Sequence, residues 1–143
     1  MMFSAIRIMV FAGLLILSQA IFAEPTLYTQ DKPAVIVTAD HPQFTIKLIS
    51  NPTTGYAWFL REYPAYFLEP VSHEFKTAND KKLMGAPGYE LWTFQVKANA
   101  FKVPQQTVLR LVYTRPWEIA DRIQQVVFRV TTVKSASPVQ KSM

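Results

Sequence analysis

From Tyr89 to Ala98 the chain reads YELWTFQVKA, and its apolar residues fall on every second position. Trp92, Phe94, Val96 and Ala98 take one face, and Thr93, Gln95 and Lys97 take the other. A period of two belongs to a half-buried β-strand, because successive side chains of a strand point to opposite sides. The same period recurs along the chain. It runs through AVIVTA (Ala34 to Ala39), QFTIKLI (Gln43 to Ile49), YAWFLRE (Tyr56 to Glu62), TVLRLVYT (Thr107 to Thr114) and QVVFRVTTVK (Gln125 to Lys134). PVSHEFK (Pro70 to Lys76) carries it more weakly. No segment has the spacing of a convincing amphipathic helix. Short strands separated by turn signals predict an all-β fold, an immunoglobulin-like antiparallel β-sandwich of about seven or eight strands. A small barrel is the alternative.

The N-terminus reads differently. Arg7 is the sole charge before Glu24, and an apolar run from Ile8 to Leu17 follows it. That run is too short to cross a bilayer, which needs about 20 residues. A basic start, a short apolar middle and small residues at Ser18-Gln19-Ala20 and Ile21-Phe22-Ala23 form the order of a secretory signal. Cleavage is expected after Ala23, with Ala20 the other site. The expected organisation is a signal peptide over 1–23, one immunoglobulin-like domain over 24–134 and a polar, flexible tail over 135–143. The mature protein is expected in the periplasm or secreted medium, with no membrane association after signal removal. Yet the chain has no cysteine, so an exported domain must hold together by its core without disulfides.

Charge excludes one class of partner. The 15 Lys+Arg against 10 Asp+Glu leave a net charge of +5, but the basic residues are scattered, with only Lys81 and Lys82 adjacent. No basic stripe tracks a phosphate backbone, so no nucleic acid is expected as partner. Catalysis is excluded on similar grounds. His41 sits in a turn signal, Asp40-His41-Pro42, and His73 in the weakest strand; both read as ordinary surface residues. Glu62, Glu69, Glu74 and Glu90 are scattered. Nothing has metal-ligand spacing or a nucleophile motif, so neither an enzyme nor a metal or cofactor is expected.

The remaining information lies between the strands. Three glycines follow the signal segment, Gly55, Gly85 and Gly88, and all are read as lying in loops. They serve either ordinary turn chemistry or close approach of another backbone. Trp58 and Trp92 fall on inward faces and read as core. Trp117 follows Arg115-Pro116 where a strand ends, since proline cannot donate to a ladder. It is either displayed as a binding anchor or folded back as a lid on the core. Immunoglobulin-like wiring gathers alternate loops at one end. That wiring would set NPTTGY (Asn51 to Tyr56), LMGAPGYE (Leu83 to Glu90) and RPWE (Arg115 to Glu118) side by side.

This ordered set, NPTTGYAW then LMGAPG then RPW, resembles the chagasin family of cysteine protease inhibitors, and the resemblance runs from about Val35 to Lys134. One departure is the middle loop. The family usually has G-x-G-G there, and this chain has Gly85-Ala86-Pro87-Gly88, in which Pro87 removes a backbone donor. The resemblance implies a monomeric, reversible, tight-binding competitive inhibitor of papain-like cysteine proteases, whose three loops enter the active-site cleft. It assigns the protease contacts to Asn51, Pro52, Thr53, Thr54, Gly55 and Tyr56 of the first loop. From the second it takes Leu83, Met84, Gly85, Ala86, Pro87 and Gly88, and from the third Arg115, Pro116 and Trp117. Thr53 would face the catalytic cysteine and histidine. Its side chain offers a methyl and a hydroxyl but no carbonyl in line for attack. A secreted adhesion or envelope-assembly module on the same sandwich is the competing reading, since fold alone permits it.

Overall fold

The computed structural model describes residues 24–77, 87–118 and 123–134. The expected signal segment, the tail and four residues of the middle loop, Leu83 to Ala86, lie outside them.

Among the described residues, eight strands form two four-stranded sheets. They are β1 (Thr26–Thr29), β2 (Ala34–Thr38), β3 (Gln43–Ser50), β4 (Ala57–Glu62), β5 (Leu68–Thr77), β6 (Gly88–Val96), β7 (Gln105–Thr114) and β8 (Gln124–Val133). One sheet has the order β1-β3-β6-β5 and the other β2-β8-β7-β4. The sandwich is therefore as the alternation predicts, with one correction to a purely antiparallel reading. β1 runs parallel to β3 and β2 runs parallel to β8. The N-terminal stretch supplies an edge strand to each sheet in turn, crossing between them at a turn closed by Lys32 N–H on Thr29 O. β1 escapes sequence reading because it is short and half exposed. Its inward contact is Tyr28, which packs edge-on against Phe44 with ring centroids 6.3 Å apart.

The inward faces read from the sequence make the core. Phe44, Ile46 and Leu48 of β3, Phe94 and Val96 of β6, Leu109 and Leu111 of β7, and Phe128 and Val130 of β8 are all buried. Each large side chain removed from water contributes about 1.5–3 kcal/mol, and a chain without disulfides depends on that sum. Three details differ from expectation. Ala98 leaves the strand for a 3₁₀ turn, Ala98–Phe101. Trp92 is half-buried at the rim rather than central. The weak segment around His73 is a full ten-residue edge strand, nearly all exposed, with a bulge between Pro70 and Ser72. An edge strand is where proline and poor alternation are tolerated.

Register fixes which loops meet. Thr77 of β5 pairs with Gly88 of β6, and Gly88 pairs with Ser50 of β3. In the opposite sheet, Ala57 of β4 pairs with Thr114 of β7. The connections after β3, β5 and β7 therefore leave the sandwich at the same end.

Candidate functional site

The first loop begins as Asn51 leaves β3. Pro52–Thr54 forms one turn of 3₁₀ helix, with proline at its start, where a missing N–H costs nothing. Thr54 N–H donates to Asn51 O at 3.2 Å and Gly55 N–H to Pro52 O at 3.0 Å. The turn closes at Gly55 with φ +81°, a left-handed conformation that favours glycine. Both threonines are tied down locally. Thr53 Oγ1 donates to Asn51 Oδ1 at 2.7 Å, and Thr54 Oγ1 to Asn51 O at 2.6 Å. Pro52, Thr53 and Thr54 are all exposed.

The third loop is built against the first. Arg115 Nε donates to Thr54 O at 3.0 Å, and its guanidinium lies 4.5 Å from the centre of the Tyr56 ring. Glu118 accepts from Tyr56 Oη at 3.2 Å and lies 3.6 Å from an Arg115 guanidinium nitrogen. Trp117 is displayed, not folded into the core, with 73% of its surface exposed. Its indole edge nevertheless rests over Gly55: a Cβ there would lie 3.0 Å from Trp117 Cη2. Glycine at position 55 thus serves two ends, the left-handed turn and the close approach of the indole.

An aromatic base supports both loops. Tyr113, one residue before the end of β7, stacks with Tyr56 at 5.4 Å and packs on Trp58 at 5.0 Å. Its hydroxyl accepts the Asn51 N–H at 2.9 Å. Trp58 Nε1 donates to Ile49 O at 2.9 Å, tying β4 to the end of β3. Stacking and hydrogen bonding from the same rings hold the loop stems in one arrangement.

Of the sequence-predicted site residues, the segments Asn51 to Tyr56 and Arg115 to Trp117 are brought side by side and touch through Arg115 on Thr54 and Tyr56 and through Trp117 over Gly55. Leu83, Met84, Gly85 and Ala86 lie outside the described residues. Pro87 is exposed at the stem. Gly88 is not a displayed loop residue. It is buried as the first residue of β6, where a Cβ would press on the Lys76 carbonyl and lie 2.5 Å from Phe75 Cζ. There it allows close packing of β5 on β6.

Two residues that sequence reading passed over are part of this end. Glu90 is only 3% exposed, and His73 is bound to it through Nε2 at 2.7 Å while stacking on Trp92 at 3.9 Å. His73 is therefore not an ordinary surface histidine. A signal was present: Glu90 shares the parity of Trp92, Phe94 and Val96, so alternation puts it on the inward face. A carboxylate there must be supplied with donors.

The fold and this end of it define an immunoglobulin-like β-sandwich that holds a paired set of loops in a fixed shape. The sequence model of the Chagasin family peptidase inhibitor I42 matches residues 40–132. The chain belongs to that family, whose members inhibit peptidases and are not enzymes. Chagasin of Trypanosoma cruzi is 37% identical over 76 residues, which cover 50% of this chain and 64% of that protein. The chain thus spans slightly under two thirds of that relative's length. Two solved structures share the fold. The cysteine protease inhibitor EhICP2 of Entamoeba histolytica superposes with a TM-score of 0.60 at 21% identity, covering 75% of this chain and 94% of that one. Amebosin superposes with a TM-score of 0.55 at 19% identity, covering 78% and 100%.

Proposed function

We propose that this chain is a reversible, tight-binding, competitive inhibitor of papain-like cysteine proteases, that it acts as a monomer, and that the loops at one end of the sandwich enter the protease cleft. The observation that carries the reading is the first loop, an exposed threonine at the tip of a turn in which three carbonyls are already engaged. Asn51 O accepts from Thr54 N and Oγ1, Pro52 O accepts from Gly55 N, and Thr54 O accepts from Arg115 Nε. Cleavage needs a carbonyl presented to the nucleophile in near-attack geometry. Here those three carbonyls are turned back into the inhibitor, and the Thr53 side chain leads. The tip fills the cleft and offers little to cut.

Rigidity supplies the affinity. Pro52 and Pro116 fix φ, both threonines are held by their hydroxyls, and Arg115 welds the two loops together. Loops ordered in advance lose less entropy on binding. Trp117 offers a large exposed indole beside the tip, the kind of side chain that anchors interfaces. The middle loop, Leu83 to Pro87, flanks the cleft on the other side in this reading. We further propose export, to the periplasm or beyond, after removal of residues 1–23 or 1–20.

The test is a titration of the purified protein against active papain at fixed substrate, with a serine protease as control. Competitive, reversible inhibition of papain alone is expected. A folded protein that leaves papain and other papain-like enzymes fully active would overturn the reading in favour of an adhesion or assembly module. N-terminal sequencing of the exported protein checks the cleavage site: it begins at Glu24 or Ile21, or export is wrong.

A further inference from the structure

Glu90 is a buried carboxylate outside the loops, and four donors converge on it. Oε1 accepts from Ser50 Oγ at 2.7 Å and from the Trp58 N–H at 3.2 Å. Oε2 accepts from His73 Nε2 at 2.7 Å and from Trp92 Nε1 at 3.3 Å. A carboxylate buried among apolar side chains is costly unless its oxygens are filled, and these are.

The positions of the donors give the arrangement a purpose. Ser50 is the last residue of β3 and Trp58 the second residue of β4. These strands belong to different sheets, and the first loop is the span between them. β4 is an edge strand, so on its side away from β7 no strand among the described residues holds it. The Trp58 N–H on that side is accepted by Glu90. One carboxylate oxygen therefore clamps both stems of the first loop at a fixed separation. The other oxygen holds His73 of β5. Glu90 itself lies two residues after Gly88, where the chain returns from the middle loop. Apolar packing between sheets is non-directional and tolerates small slips. Directed hydrogen bonds to a single buried group do not.

We infer that Glu90 is a positioning residue for the inhibitory edge: it sets the spacing of the β3 and β4 stems and so the aim of Thr53, without touching the protease. The inference rests on the proposed inhibitor function for its affinity readout. A second readout is independent of it.

Glu90→Gln keeps the shape and inverts one half of the chemistry. Whichever way the amide turns, its NH₂ faces a fixed donor, the Trp58 N–H or the Trp92 Nε1–H. The comparison variant is Val130→Ala, a truncation of a fully buried side chain on β8, paired with Thr107 toward the opposite end. Both variants lower Tm. At a temperature where all forms are folded, Val130→Ala keeps the wild-type inhibition constant for papain, and Glu90→Gln weakens it about tenfold, or 1.4 kcal/mol. In the free protein, ¹⁵N order parameters of Thr53, Thr54 and Gly55 drop from about 0.85 toward 0.6 in Glu90→Gln alone. Ser50→Ala, which deletes one donor at the first-loop stem, moves the same residues in the same direction and carries the test if Glu90→Gln fails to fold. Order parameters unchanged from wild type in the folded variant overturn the inference, leaving Glu90 as support for the fold only. If wild-type protein does not inhibit papain, the function proposal fails. The relaxation arm still decides whether Glu90 positions the loop.

Discussion

Replacing Gly55 by alanine separates two demands that meet at one atom. The residue sits at φ +81°, ψ −5°, and an L-residue with a Cβ costs about 1–2 kcal/mol in that region. The added Cβ would also lie 3.0 Å from Trp117 Cη2 and 3.2 Å from Cζ2. Both distances are tighter than ordinary carbon contacts, which are optimal near 3.5–4.0 Å. The indole is largely exposed and can swing aside, so this contact adds little to the loss of stability. The stability change is therefore dominated by the backbone, and a Tm drop of about 5 °C is expected. The swing matters for binding, because an anchor that was held in place must be re-ordered on the protease. A loss of about tenfold in inhibition constant is expected, equivalent to 1.4 kcal/mol. Gly55→Asn distinguishes the two causes. Asparagine enters the left-handed region more readily than alanine but carries the same Cβ. Its melt should lie nearer to wild type, while its inhibition of papain is weakened as much as that of Gly55→Ala. Thermal melts and titrations of the three forms provide the readout. If asparagine restores inhibition along with stability, the backbone and not the indole contact carries the effect. If both variants inhibit as wild type does, the packing of Trp117 on Gly55 contributes nothing to binding.

Other perturbations have simpler outcomes. Trp117→Ala should weaken inhibition by about 2 kcal/mol, or roughly 30-fold, with Tm unchanged because the indole is exposed; an unchanged inhibition constant would remove it as an anchor. Thr53→Trp should collide in a narrow cleft and cost more than tenfold, about 1.4 kcal/mol, and unchanged affinity would mean that the tip stays outside. Tyr113→Phe keeps the stack with Tyr56 and Trp58 but strands the Asn51 N–H, so stability should fall by about 1 kcal/mol in denaturant unfolding; a wild-type midpoint would mean that water replaces the hydroxyl.

Strand identity was legible because it depends on local order. Alternation in Phe44-Ile46-Leu48 and Phe94-Val96 states which face is buried, whatever the partner strand. The loops were legible for a related reason. Proline, glycine and adjacent hydroxyls at 51–56 and 115–117 restrict the backbone within a few residues, and they carry the resemblance to the family. The same parity put Glu90 on the inward face, but sequence reading counted it among scattered charges. Its donors, Ser50, Trp58, His73 and Trp92, come from four strands and are contiguous only in space.

The tertiary structure alone decided what depends on pairing between distant segments. The parallel pairing of β1 with β3 and of β2 with β8 belongs to this group: alternation marks β2 as a strand but not its partner, and β1, short and half exposed, has too few buried positions to announce itself. So does the reassignment of Gly88 from a loop tip to a strand packed on Phe75. The hold of Arg115 on Thr54 O spans 61 residues of sequence and follows only once β4 pairs with β7. By itself the sequence determined faces, turns and family, because these are written in neighbouring residues. The shape of the loop edge comes from hydrogen bonds between residues tens of positions apart, and only the folded sandwich brings those together.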